Sequence, residues 1–262
     1  MLSMKRFALF MIMAVGSNTL IKAQNTPQHL SVLSYNIHHA ENNNGELDIS
    51  GIAKVILAYN PDVVALQEVD SMTTRTKQVD QLKELASLTG MYIYFSKAMD
   101  LQGGGYGTGV LSKFPIDSSY SIPLPSKNPK AEPRTAAVTR LVLPDDSLFN
   151  FVSTHLDFNE DGIDRTEQMN ILYKHFEPGI TPTIIAGDFN TVPGSKEMLH
   201  FKKLYHDVTE FSGPTHPADS PKIKIDYIFV HPASRFNIIK SKVIEETIAS
   251  DHRPVMCELE IN

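Results

Sequence analysis

Cysteine is almost absent from this chain. Cys257 is the only one among 262 residues, so no internal disulfide can form. The apolar run Phe7–Val15 falls short of the roughly 20 residues that a bilayer-spanning helix needs. Positive charge is scarce too: 24 Lys and Arg face 30 Asp and Glu, for a net charge of −6. That balance argues against a protein that holds nucleic acid by broad phosphate neutralisation. Repeats, coiled-coil heptads, low-complexity tracts and a Pro/Gly/Ser linker between domains are all missing, which leaves one domain. The glycines of "QGGGYGTG" (102–109) lack a following "GK[ST]", so they are not a nucleotide-triphosphate loop. They read as a mobile loop between strands.

What the chain does have is an ordinary globular composition, 42% hydrophobic and 21% charged, sufficient for a real core. Residues 1–23 read as a secretory signal peptide: Lys5 and Arg6, then the apolar run, then "IKA" ending at Ala23. The alternative is an N-terminal anchor or a buried helix, and no cysteine follows the run to carry a lipid. Cleavage would remove Lys5, Arg6 and Lys22 but no acid, leaving 21 basic residues against 30 acidic and a net charge near −9. The expected product is a single domain over 24–262, exported to the periplasm or outside the cell. It would be a monomer with no transmembrane segment in its mature chain. A disulfide-free exported protein suits a bacterial envelope.

Short strands dominate the rest. "LSVLSYNI" (30–37) and "DVVALQEV" (62–69) flank "DISGIAKVILAYN" (48–60), whose apolar spacing is helical and which starts at Asp48 as N-cap. A second helix, "VDQLKELASLTG" (79–90), closes on glycine. Strands are expected at 91–97, 108–114, 116–124, 135–143 and 147–156. "DRTEQMNILYKHF" (164–176) is a helix whose Asp164 and Glu167 have capping-box spacing. A strand at 181–190, a short helix at 194–204 and strands at 223–230, 236–246 and 253–261 complete the chain. Strands with occasional helices, and no strict βαβ alternation, predict two packed sheets flanked by helices.

One event recurs at the strand ends. An apolar run stops, and Asn, Glu, His or Asp follows: Asn36, Glu68, His155, Asp188 with Asn190, Asp226, and Asp251 with His252. Each alone has an ordinary explanation: a turn residue, a solvated acid, a core imidazole, a loop cap or an edge charge. Together they are harder to dismiss, because burying so many polar groups costs free energy unless they serve one another.

"SYNI", "LQEVD", "STHLD", "AGDFN", "KIDYIFV" and "SDHRPV" occur in that order over about residues 30–260 and resemble the endonuclease/exonuclease/phosphatase superfamily. The resemblance implies an α/β fold, a four-layer α/β sandwich with two packed, mainly antiparallel sheets. It also implies metal-assisted hydrolysis of a phosphoester. Glu68 would be the main metal ligand, with Asn36 and Asp251 beside it. Mg²⁺ suits such hard oxygen donors, with Mn²⁺ as substitute, and no cysteine cluster suggests zinc. Asp188 would orient or deprotonate the attacking water, and Asn190 would bind phosphate or fix that water. His252 would face the phosphate with Asp226 as its carboxylate partner, and His155 would be a second phosphate-facing residue. Asp251 and His252 can serve one site although adjacent, because a loop before a strand is free of strict alternation.

Weaker candidates surround these. Arg134 precedes a strand and is assigned to phosphate or scaffold. Arg165 and Gln168 share one side of a helix; they either line the substrate mouth or form a solvated face. His38 shares the face of Asn36 and could reach substrate, while His39 and Lys113 have no assigned role. "SYNIHHAENNNGELD", "PDVVALQEVD" and "GGGYGTGVLSKFPI" look most like exported bacterial phosphohydrolases of this family. That favours a small or lipid-linked phosphodiester. A secreted nuclease is the second reading, and a non-catalytic ligand binder the third.

Overall fold

The computed structural model describes residues 27–128 and 131–262, so the expected signal peptide lies outside the described residues. The strands are β1 (Gln28–Asn36), β2 (Val63–Ser71), β3 (Tyr92–Leu101), β4 (Gly104–Ser112), β5 (Ile116–Leu124) and β6 (Arg134–Val142). They continue as β7 (Leu148–His155), β8 (Thr183–Asp188), β9 (His206–Asp207), β10 (Asp226–His231), β11 (Phe236–Val243) and β12 (Val255–Ile261). The helices are α1 (Ile49–Tyr59), α2 (Gln81–Thr89), α3 (Ile163–Phe176) and α4 (Lys196–Phe201). No helix among the described residues is long and apolar enough to cross a membrane.

Two six-stranded sheets form, ordered β11-β12-β1-β2-β4-β3 and β5-β6-β7-β8-β10-β9. Each has one parallel pair at its centre, β1 with β2 and β7 with β8, and every other pairing is antiparallel. A helix makes each parallel crossover, α1 in the first sheet and α3 in the second.

Alternation along the central strands decides what faces what. Leu30 and Val32 of β1 and Val63 and Ala65 of β2 join Phe149, Phe151, Ile184, Ala186 and Ile228 in the core between the sheets. The opposite faces, with Leu33, Tyr35, Val64 and Leu66, pack against α1 and α2. Val152, Ile185, Tyr227 and Phe229 do the same beneath α3 and α4. The result is the four-layer sandwich, helix–sheet–sheet–helix, in which the central strands are apolar on both faces.

The helix ends expected at α1 and α2 hold. Asp48 accepts from Gly51 N at 2.8 Å, and Gly90 closes α2 at φ 72°. Two other expectations need correction. The capping box at Asp164 does not form: α3 starts from Gly162 at φ 62° with no side-chain cap. Asp164, itself buried, instead accepts from Ser126 Oγ and, at 2.7 Å, from Lys127 N. The glycine stretch is not a long loop but the tight turn between β3 and β4 and the first part of β4, paired from Leu101↔Gly104 onward. Gly104 is required there, since a Cβ would collide with the carbonyl of Ser71. Strand β9 was not anticipated; at two residues it is too short to leave a sequence period.

Cys257 lies in the inter-sheet core at 1% exposure, and burial pushes its thiol pKa upward. Labelling by a thiol reagent should therefore be at least about 100-fold slower in the native protein than in denaturant. Equal rates in both states would show that the inter-sheet core is open.

Candidate active site

The inward parity of the central strands continues past the last apolar residue. Asn36 follows Leu30, Val32 and Ser34 on one face of β1; His155 follows Phe149, Phe151 and Ser153 on β7. Asp188 follows Ile184 and Ala186 on β8, and Asp226 precedes Ile228 and Val230 on β10. His155 pairs in register with Asp188, and Asp188 with Asp226, so three side chains form a row across β7, β8 and β10. Across the gap, Asn36 Nδ2 donates to Asp188 Oδ2 at 3.1 Å and to Glu68 Oε1 at 3.1 Å. One amide thus joins the two sheets and three strand ends.

Glu68 should point away from this face, since Gln67 before it already faces the second sheet and donates to Ser153 Oγ at 3.3 Å. The β2–β4 pairing breaks between Leu66 and Val69, and Glu68 has φ 57°. This bulge turns two consecutive side chains to one side. Asn190 (φ 50°) and His38 (φ 46°) share the left-handed conformation, a cluster of backbone strain around one site.

The loop before β12 is pinned from both sides. Ser250 Oγ donates to Asn36 O at 2.7 Å, Ala218 N to Asp251 O at 2.7 Å, and Arg253 N to Thr215 O at 2.8 Å. His252 Nδ1 lies 2.9 Å from Asp226 Oδ2, which also accepts from Thr215 Oγ1 at 2.5 Å. Nε2 of His252 is 3.7 Å from Asp188 Oδ2. Burial opposes charge on this imidazole, but Asp226 through charge and hydrogen bond, helped by Asp188, raises its pKa to about 10. Asp188 is shifted upward by burial and by Asp226, against the pull of His252, Asn190 and Asn36.

His155 behaves in the opposite way. Arg134 Nη1 lies 3.2 Å from its Nδ1 and Asn190 Nδ2 lies 3.0 Å from its Nε2. Burial, with the Arg134 and His252 charges, holds its pKa well below the usual value. With Arg134 donating to Nδ1, the neutral ring carries its one proton on Nε2, 3.6 Å from Asp188 Oδ2.

Glu68, Arg134, His155, Asp188, Asn190, Asp251 and His252 all line one cleft of about 440 Å³. Asn36 and Asp226 lie behind its wall, in contact with Glu68, Asp188 and His252. Among the described residues, neither Glu68 nor Asp251 is ion-paired to lysine or arginine; Asp251 has only the imidazole of His216, with Nε2 at 3.9 Å. Glu68, Asp251 and the Asn36 side-chain carbonyl, which also accepts from His38 N at 3.0 Å, are oxygen donors of the kind a hard divalent cation takes, although by mutual distance Asp251 groups with His216 and His252. His38 does not line the cleft, but its ligand atoms and those of His39 and Glu68 lie within 4.8 Å of one another.

Arg165 is not brought into this cleft. Its guanidinium donates to Asp157 O (2.9 Å) and Asn159 O (3.0 Å) and pairs with Glu197, bracing the loop after β7. Nor do Arg165 and Gln168 form a solvated face: both are buried, and Gln168 Oε1 accepts from Asp157 N at 2.8 Å. Lys113 bonds Asn60 O and Asp62 at the far end of β2. Sequence reasoning missed half of the cleft lining: Arg75, Tyr106, Phe158 and His216, with Met99, Leu101 and Glu132. Arg75 and Tyr106 sit beside "LQEVD" and within the glycine stretch, and only strand pairing brings them together.

The family model described as endonuclease/exonuclease/phosphatase family matches residues 33–252. Among solved structures, an endonuclease/exonuclease/phosphatase from Beutenbergia cavernae is 24% identical at a TM-score of 0.78, over 90% of this chain and 72% of that one. A protein of that family from Bacteroides thetaiotaomicron is 23% identical at 0.74, over 90% of this chain and 99% of that one. A Bacteroides thetaiotaomicron mannosyl-6-phosphatase is 23% identical at 0.71, over 88% of this chain and 99% of that one. With most of its length matched and its polar strand ends gathered in one cleft, the chain belongs to the endonuclease/exonuclease/phosphatase family.

Proposed function

We propose that this protein hydrolyses phosphoester bonds with the aid of a divalent cation, Mg²⁺ first and Mn²⁺ as its substitute. The observation that carries the reading is the Asn36 amide, which ties Glu68, a candidate metal ligand, to Asp188, a candidate base, across the two sheets. Glu68, Asp251 and the Asn36 carbonyl would hold the cation. Bound there, it would supply positive charge to the phosphoryl oxygens.

The remaining roles are those the family resemblance implies, and the geometry supports them. Asp188, raised towards the neutral range, accepts a proton from the attacking water, and Asn190 holds that water or a phosphoryl oxygen. The water oxygen bonds to phosphorus as the bond to the leaving oxygen breaks. His252, kept protonated by Asp226, faces the phosphoryl group and stabilises its developing charge. Arg134 positions His155, a neutral donor to phosphate. Export through residues 1–23, to the periplasm or beyond, belongs to the same proposal.

The substrate in this reading is a small or lipid-linked phosphoester rather than nucleic acid. The cleft has only two arginines: Arg134 is committed to Glu132, Tyr106 and His155, and Arg75 spends Nε and Nη2 on Asp70. The same wall carries Glu68, Glu132, Asp188 and Asp251, a poor track for a polyanion. The sugar-phosphate activity named for the Bacteroides thetaiotaomicron relative points the same way.

Three measurements test this. Purified mature protein should lose phosphoesterase activity with chelator and regain it with Mg²⁺ or Mn²⁺. Asp188→Asn and His252→Ala should each lower kcat by about 10²–10⁴-fold with the fold intact. Unchanged turnover in both variants would remove the assigned roles, and no turnover in any condition would leave a ligand-binding protein. In a panel of sphingomyelin, bis-p-nitrophenyl phosphate and plasmid DNA with Mg²⁺, a small or lipid ester should be cleaved fastest. Rapid plasmid nicking at low enzyme concentration would instead make the protein a nuclease.

A further inference from the structure

Arg75 is the one cationic group of the cleft to which the mechanism above gives no task. It follows β2 and is 30% exposed, while its partner Asp70 is fully buried. Nε donates to Asp70 Oδ2 at 2.6 Å and Nη2 to Asp70 Oδ1 at 2.8 Å, a bidentate grip that fixes the plane of the guanidinium. Asp70 is itself held by Thr73 Oγ1 at 2.6 Å. The backbone is fixed as well: Arg75 N donates to Gln102 Oε1 at 2.9 Å and Thr74 N to Gln102 O at 3.1 Å, at the tip of the β3–β4 hairpin. The guanidinium carbon lies 5.6 Å from the centre of the Tyr106 ring.

These bonds use Nε and Nη2 and leave Nη1, on a side chain that lines the cleft with Glu68, Asp188 and His252. Arg134 is not equivalent, because its Nη1 is shared among Tyr106, His155 and Glu132. A loop that served only to neutralise Asp70 could do so with both groups buried or both in water. Here the carboxylate is buried and the cation reaches the cleft.

We propose that Arg75 is a specificity-determining residue, whose remaining N–H edge takes the additional negative charge of a phosphate monoester. The protein then prefers terminal phosphates to phosphodiesters. This rests on reading the cleft as a phosphoester site, and it narrows the substrate class within that reading. At neutral pH a monoester carries close to two negative charges and a diester one. One rigid guanidinium beside the cation site is the difference the first can use.

The test compares p-nitrophenyl phosphate with bis-p-nitrophenyl phosphate in wild type, Arg75→Lys and Arg75→Ala, alongside calorimetric binding of inorganic phosphate. In Arg75→Ala, kcat/KM should fall about 30-fold for the monoester and only about threefold for the diester, with phosphate binding about tenfold weaker. Arg75→Lys should recover part of each loss. If Arg75→Ala folds poorly, Arg75→Ala combined with Asp70→Asn, which removes the buried unpaired carboxylate, should fold and show the same selective loss on the monoester. Equal losses on the two esters, or unchanged phosphate binding, would overturn the proposal. Weakened phosphate binding in a protein that turns over neither ester would keep the Arg75 role and overturn the hydrolase reading.

Discussion

The structure depends on what happens where the inter-sheet core stops. Four strands, β1, β7, β8 and β10, carry apolar residues inward for most of their length and then place Asn36, His155, Asp188 and Asp226 on the same face. All four are buried, and unpaired they would be costly. They are tolerable because they bond one another. Asn36 reaches Asp188, Asp226 reaches His252, and Asn190 reaches His155. Stability and chemistry therefore share one set of contacts, and neither sheet can complete the set alone.

The two sheets are built on one plan. Each has a central parallel pair with a helical crossover, and the matching ends of the two pairs meet. The first sheet brings oxygen donors, Asn36 and Glu68, with Asp251 from the loop before β12. The second brings the carboxylate and imidazole row of His155, Asp188 and Asp226. His252 closes the junction, since its loop is bonded both to the end of β1 and, through Thr215, to Asp226. Around this rigid base, Glu68, His38 and Asn190 are among the residues held in the left-handed backbone conformation. Strain placed where side chains must converge is the pattern expected of a functional site.

Much of this was legible in the sequence. The apolar periods of the central strands, the Asp48 N-cap and the Gly90 stop are local signals, and they fixed the elements and the faces they bury. Because the polar residues stood at strand ends, their convergence could be anticipated. The family motifs supplied the order. What was not legible depends on pairing between distant segments. The bulge at Glu68 breaks the alternation by which a strand is read. The glycine stretch looks mobile until Gly104 is seen pressed against Ser71. Arg165 and Gln168 look solvated until the loop after β7 is folded onto them, and Arg75 and Tyr106 lie 31 residues apart until the hairpin joins them. Even Asp164, whose spacing suggested a cap, is claimed by Ser126 and Lys127 from another segment.

The central claim is that both sheets contribute to one cation-and-phosphate centre. Anomalous diffraction from crystals grown with Mn²⁺ and inorganic phosphate examines it directly. The account predicts a manganese peak against the Glu68 carboxylate, beside Asn36 and Asp251, with phosphate between it and His252. A peak elsewhere on the surface, or an empty cleft at saturating Mn²⁺, would contradict it.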